Sequence, residues 1–274
     1  LWSEAAAQSI VAACRDKKAT VTEEAKPATQ LAPQLFDLTS LQREANARFG
    51  FSAKNTLGLA QALYERHKVL TYPRTDAKAL PEDYLDTVKQ TMEILAEHSQ
   101  EYRPFAKQIL QGDPKEPKGK GYGWIKPNKR IFDNSKISDH FAIIPTLETP
   151  KNLSEPEFKL YDLVVRRFLA VFYPAAEFRV TTRITEASGH HFKTEGRVLV
   201  NPGWLTVYGR SNQADDELVA VQEGETVQTE SIAAVPLKTK PPARYTEATL
   251  LSAMESAGKW VDDDEMREAM AEKG

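Results

Sequence analysis

Apolar residues recur at helical spacing through most of the first 174 positions and give way to alternation afterwards. Ser3 followed by Glu4, Ala5, Ala6, Ala7, Ile10, Val11 and Ala12 predicts a capped helix, and 20–22 a short strand. Pro27 and Pro33 mark 25–35 as a linker. Asp37 opens a helix with Leu41, Ala45 and Phe49 on one face, which Gly50 ends in a left-handed cap. Ser52 caps the next, in which Leu57, Ala60, Leu63 and Tyr64 share a face up to His67. Residues 69–76 break the pattern, because Pro73 forbids both helix continuation and a regular central strand. Helices are expected at 81–98, 101–112 and 155–172, the last too apolar to lie wholly at the surface. Between them, 138–146 forms a second compact segment punctuated by Pro145.

After Pro174 the segments 178–184, 197–200, 204–208 and 226–230 read as strands separated by glycine or acidic turns. Pro241 and Pro242 close this region. Thr246 then starts a helix expected to turn Leu250, Leu251 and Met254 inward. The pattern is that of an α+β chain.

Composition narrows the class. The 274 residues are 27% charged and 41% hydrophobic with a formal charge of −3, an ordinary globular balance. No run approaches the ~18 apolar residues of a membrane span. The lone Cys14 excludes a disulfide framework and a multi-cysteine zinc site, and favours a reducing, cytoplasmic setting. A mildly acidic total does not favour nucleic acid, but charge is unevenly spread. Residues 113–130 carry a net +4 interleaved with Tyr122 and Trp124, whereas 255–274 carry a net −4. In a Gly- and Pro-rich stretch, a solvated loop is the plainer reading of the basic run. The opening Leu1-Trp2-Ser3-Glu4, without an initiator methionine, reads as the start of a piece of something longer.

Tyr72 draws attention on chemical grounds. It is pinned between Thr71 and Pro73, two positions before Arg74. A phenol titrates near 10, so attack on phosphorus needs positive charge close by, and Arg74 is placed to supply it. Taken alone, Tyr-Pro-Arg-Thr equally suits a core tyrosine beside a surface arginine. His140 precedes an apolar run ending at Pro145, where an imidazole could bind a phosphate oxygen with Asp139 holding its proton; a structural histidine fits as well. His190-His191 lacks carboxylate or thiol partners and reads as structural.

Six blocks taken together change the picture. Phe36 to Asn46, Gly50 to Leu57, Leu63-Tyr64-Glu65, Leu70 to Asp76, Asp139 to Thr146 and Pro241 to Leu250 resemble, in order and spacing, the type IA DNA topoisomerases, most of all the topoisomerase III branch. The resemblance implies that Tyr72 cleaves one DNA strand and keeps the 5′ phosphate as phosphotyrosine, that Arg74 contacts the scissile phosphate, and that His140 supports phosphate binding. A second histidine often stands in that branch where this chain has Phe141. Ser52 and Lys54, at a helix start, suit contacts to the DNA backbone, with helix capping and solvation fitting them as well, and Arg244 suits a contact to single-stranded DNA at the edge of the groove. The implied fold is multidomain: a helical domain at 36–174 inserted into a β-rich arch at 1–35 and 175–240, with a further helical DNA-binding domain beginning at 241–274.

The resemblance also implies what to expect elsewhere. The family's Mg²⁺ site lies in a Toprim domain with an Asp-x-Asp-x-Glu-Gly block, and no such block occurs here. The chain is therefore expected to be a central fragment, with no metal site, inactive without that domain, whose partners are single-stranded DNA and the Toprim domain, in the bacterial nucleoid and not at a membrane. Two other classes stay open: a non-catalytic helix-turn-helix DNA-binding module built on 38–67, and a protein-interaction scaffold.

Overall fold

The computed structural model describes residues 3–114, 121–209, 218–219, 221–222, 224–260 and 264–271. Lys115, Lys118 and Lys120 of the basic run, and Asp262, Asp263, Glu272 and Lys273 of the acidic one, lie outside the described residues. The chain folds into two compact units, residues 1–31 with 175–242 and residues 32–174 with 243–274.

The first unit is a sheet with one helix. Ser3 caps α1 (Glu4–Cys14), its hydroxyl accepting from the Ala6 N–H at 3.3 Å. The sheet is antiparallel, in the order β3-β2-β1-β4, formed by β1 (Lys18–Gln30), β2 (Ala176–Ala187), β3 (His190–Asn201) and β4 (Thr226–Gln228). Its register runs from Thr20 opposite Glu186 to Gln30 opposite Ala176. Ser188 and Gly189, with φ of 50° and 77°, make the two-residue turn that matches strand twist between β2 and β3. Cys14, Ala19 and Ala187 form a small buried cluster with Phe192, Val227 and Ile232 against it.

Two expectations fail in this unit. Residues 25–30 belong to β1 rather than to a linker, Pro27 lying opposite Arg179. β4 covers Lys18 to Thr20 and Val21 bonds to Gly224 and Glu225; among the described residues no strand pairs with that edge at Pro27, where a residue without an N–H is tolerated. Residues 204–208 form not a strand but a tight helical turn, Gly203–Tyr208. Pro202 leads into it with φ −66° and Gly209 ends it at φ 74°. Its three-residue period buries both Trp204 and Val207, and the indole N–H donates to the Gln30 carbonyl at 2.8 Å.

The second unit is helical. Asp37 caps α2 (Leu38–Phe49), accepting from the Ser40 N–H at 2.8 Å, and Gly50 closes it at φ 69°. Then come α3 (Ala53–Glu65), α4 (Leu85–His98), α5 (Arg103–Gln111) and α6 (Glu155–Phe172). Twelve residues of α6 are buried, which makes it the central helix, and α3 packs directly on it. Phe36, Leu41, Leu63, Leu70, Leu80, Met92, Ile143, Ile144 and Phe168 fill the core. The described part of the basic run packs against the helices: Trp124 packs on Tyr173 at 5.0 Å, the Tyr122 hydroxyl meets Asp86 at 2.5 Å, and the exposed Lys129 pairs with Glu82 at 2.5 Å.

The chain ends in α7 (Glu247–Glu255) and α8 (Asp264–Ala271). α7 buries none of its residues, and Leu250 and Met254 are 46% and 61% exposed, contrary to the inward face expected. It docks on α2 and α3 through polar groups instead. Glu247 accepts from the Ala53 N–H at 2.5 Å, Asn46 accepts from the Ala248 N–H at 3.2 Å, and Arg43 pairs with Glu255.

Candidate active site

Three extended segments of the helical unit meet edge to edge, the one around 143–145 pairing with Leu70 through Pro145 and with Phe36 through Ile143. Thr71 donates its N–H to the Ile144 carbonyl at 3.0 Å. Its hydroxyl donates to the Ala142 carbonyl and accepts from the Ile144 N–H, both at 3.0 Å. On the far side of the tyrosine, the Thr75 hydroxyl donates to the His140 carbonyl at 2.8 Å and accepts from the Ala77 N–H at 3.0 Å. Thr71 and Thr75 thus clamp both ends of a short stretch to the segment that carries His140. Between them Pro73 is buried and needs no donor partner, while Arg74 and Asp76 alternate outward as an extended backbone requires.

The stretch brings Tyr72 and His140 together. Their rings are 4.2 Å apart between centroids and inclined at 43°, with Tyr72 half-buried and His140 exposed. Tyr64 of α3 meets Tyr72 edge-on at 5.4 Å and 81°. Arg74 is exposed beside them. With the Gln61 amide turned so that its oxygen faces the guanidinium, Arg74 Nη2 and Nε donate to it at 3.1 and 3.2 Å. That orientation is required, since a guanidinium only donates.

The sequence pattern does not single out Gln61 or Thr75, and it marks Tyr64 only as part of a helix face and of one block. A signal was present for two of them. Gln61 and Tyr64 stand three apart on one helix face, directly ahead of the tyrosine segment.

The other candidates sit elsewhere. Ser52 caps α3, its hydroxyl accepting from the Asn55 N–H at 3.1 Å, and Lys54 is exposed on the first turn. At ~1.5 Å rise per residue, Lys54 is about 15 Å along the axis from Tyr64, so neither it nor Ser52 joins the tyrosine cluster. The Glu247 carboxylate holds the first N–H of that helix end, where a phosphate was expected. Arg244 is exposed in the extended segment before α7 and is not among the contacts of Tyr72 or His140. Asp139 is exposed beside His140, whose ring partner is Tyr72. Phe141 packs on Tyr84 at 4.9 Å.

A buried carboxylate fixes the end of α3 nearest the tyrosine. Glu157, 4% exposed, accepts from the Ser154 N–H at 2.8 Å and the Ser154 hydroxyl at 2.7 Å. It also pairs with Arg66 and lies 3.3 Å from His67 Nε2. Burial works against its ionisation, but the Ser154 donors and attraction to Arg66 and His67 outweigh it and pull the carboxyl down to about 2. Among the described residues no group of three or more His, Cys, Asp or Glu side chains could hold a metal ion. Among those residues, too, no helix is long and apolar enough to cross a membrane.

Comparison with known proteins gives the family. Residues 1–258 match the family described as DNA topoisomerase. The chain is 43% identical over 265 residues to DNA topoisomerase 3 of Bacillus cereus, an alignment covering 92% of this chain and 34% of that protein. With DNA topoisomerase 3 of Bacillus subtilis it shares 42% identity over 259 residues, 91% of this chain and 34% of the other. The full-length topoisomerase I of Thermotoga maritima superposes with a TM-score of 0.63 at 20% identity, covering all of this chain and 42% of that one, a likeness of fold. The chain belongs to the type IA DNA topoisomerase family and is similar to its topoisomerase 3 members. It spans about a third of the length of the Bacillus relatives.

Proposed function

We propose that this chain carries the strand-cleaving tyrosine of a type IA topoisomerase. Tyr72 Oη attacks a DNA phosphorus; a tyrosyl O–P bond forms as the P–O3′ bond breaks, and the phenol gives up its proton while the 3′ oxygen leaves as a hydroxyl. Reversal religates the strand. One phosphodiester replaces another at each step, so no ATP is consumed. Arg74 lies two residues on and exposed, where its fixed charge would offset the charge that develops on the phosphoryl oxygens. His140, against the Tyr72 ring, would add a donor to the same phosphate. Single-stranded DNA is the substrate in this reading. The Mg²⁺ and remaining proton-transfer groups belong to a Toprim domain of the full-length protein, and this stretch alone does not cleave.

The observation that carries the reading is the meeting of Tyr72 with His140 on two segments clamped together by Thr71 and Thr75. A helix-turn-helix module finds no such support, because α3 buries Thr56, Ala60 and Leu63 and places Tyr64 on Tyr72. The test is Tyr72→Phe in the full-length protein, incubated with labelled single-stranded oligonucleotide and Mg²⁺ and run on a denaturing gel. Covalent adduct should disappear while oligonucleotide affinity stays within about threefold, since only one hydroxyl is lost. Adduct that persists assigns the nucleophile to another residue.

A further inference from the structure

We propose that Gln61 is a positioning residue for Arg74: a neutral amide that aims the guanidinium at the scissile phosphate without offsetting its charge. The inference rests on the reading of Tyr72 and Arg74 given above.

Arg74 is exposed, and a free arginine side chain gives up rotamer entropy when it is held in one geometry. Gln61 removes part of that freedom beforehand. It stands on α3, a rigid helix capped at Ser52 and fixed at its other end through Arg66 and Glu157. Its amide oxygen takes the Nε and Nη2 edge of the guanidinium, at 3.2 and 3.1 Å. A planar guanidinium has two edges suited to paired acceptors, and this contact occupies the side edge only. The end edge, Nη1 with the second Nη2 hydrogen, stays available for two phosphate oxygens. One turn along the same face, Tyr64 meets the Tyr72 ring. A single helix therefore orients both the nucleophile and the cation that serves it.

The choice of an amide matters chemically. A glutamate at 61 would reach the same edge with the same two hydrogen bonds, but it would form a salt bridge. Its charge would weaken the attraction of Arg74 for the anionic phosphate and for the further charge that builds up on its oxygens during attack. Glutamine gives the geometry and leaves the field intact.

The experiment uses the full-length protein, Mg²⁺ and an end-labelled single-stranded oligonucleotide. It measures the cleavage rate at saturating DNA and, separately, affinity by fluorescence anisotropy. Gln61→Ala should slow cleavage about 10- to 100-fold, as loss of alignment does, with affinity within about threefold. Gln61→Glu should slow it at least as much. Gln61→Met, similar in length and without an acceptor, should behave like alanine and serves if alanine disturbs the helix. The decisive comparison is the Arg74→Lys background, in which Gln61→Ala should cost little more, because a residue acting only through Arg74 has nothing left to aim. Wild-type cleavage by Gln61→Ala, or an equal loss in both backgrounds, overturns the positioning role. A Gln61→Glu protein as fast as wild type overturns the requirement for neutrality. Failure of the underlying reading is distinct: it appears as adduct formed by Tyr72→Phe in the same assay.

Discussion

Glu157→Gln removes one buried charge that ties α6 to the end of α3 carrying Tyr64. Glutamine retains an oxygen for one partner, but its NH₂ must then face Arg66 and His67 or the Ser154 donors, which leaves donors opposed. The native carboxyl lies at about 2 against an ordinary value of 4.5. At 1.36 kcal/mol per pH unit, that difference corresponds to about 3 kcal/mol. Arg66 is 66% exposed and water screens its share, so the net contribution should be about 2–3 kcal/mol. The sign follows from the depressed value in the folded state. Above the unfolded value of 4.5 the stabilisation is complete, and it is lost as pH falls toward 2. Urea denaturation of both proteins, followed by circular dichroism from about pH 7 to about pH 3, reads the difference directly. The gap between them should be steady down to about pH 5 and roughly halved by about pH 3. A gap independent of pH would show that shape rather than charge is lost, and one below about 0.5 kcal/mol at neutral pH would refute the clamp.

Two further outcomes follow from the same structure. Gly123 has φ 58° and a Cβ there would lie 2.2 Å from the Ile109 carbonyl oxygen, so Gly123→Ala should lower stability by more than about 2 kcal/mol in the same denaturation assay; near-wild-type behaviour would deny the close approach of that turn to α5. Glu247→Ala removes the carboxylate at the first N–H of α3 and should loosen α7, raising amide exchange across 247–255 about three- to tenfold, with high salt doing the same to the native protein; unchanged exchange would mean that apolar contacts hold this helix.

What was legible in the sequence was local. Ser3, Asp37, Ser52 and Thr246 all cap helices, and Gly50 ends one, because a side-chain oxygen before a periodic run or a glycine after it acts over three or four residues. The errors share a different origin. Pro27 looked like a linker because what pairs with its edge of β1 is set by how short β4 is, two hundred residues away. The alternation across 204–208 looked like a strand because Trp204 and Val207 satisfy a three-residue period only once the Gln30 carbonyl is there to receive the indole. Leu250 and Met254 have amphipathic spacing, yet they stay 46% and 61% exposed, and polar contacts at the ends of α7 decide its seat.

The same division runs through the site. Tyr72, Arg74 and His140 could be marked individually, since a tyrosine beside a proline and an arginine has a chemistry of its own. Their support could not, because support is a relation between segments. Thr71 and Thr75 are unremarkable until the carbonyls of Ala142 and His140 arrive opposite them, and Gln61 is one helix-surface glutamine until a guanidinium lies against its amide. Thr71 and Thr75 hold backbone and Gln61 holds a guanidinium, and none of the three brings a charge. In the proposed reading Tyr72 meets a phosphate, which needs the surrounding field left positive, and neutral hydroxyls and an amide suit that better than carboxylates would. The buried carboxylate that fixes this end of α3, Glu157, has its charge already satisfied by Ser154, Arg66 and His67. Rigidity can therefore be drawn from an ion pair whose charges already answer each other.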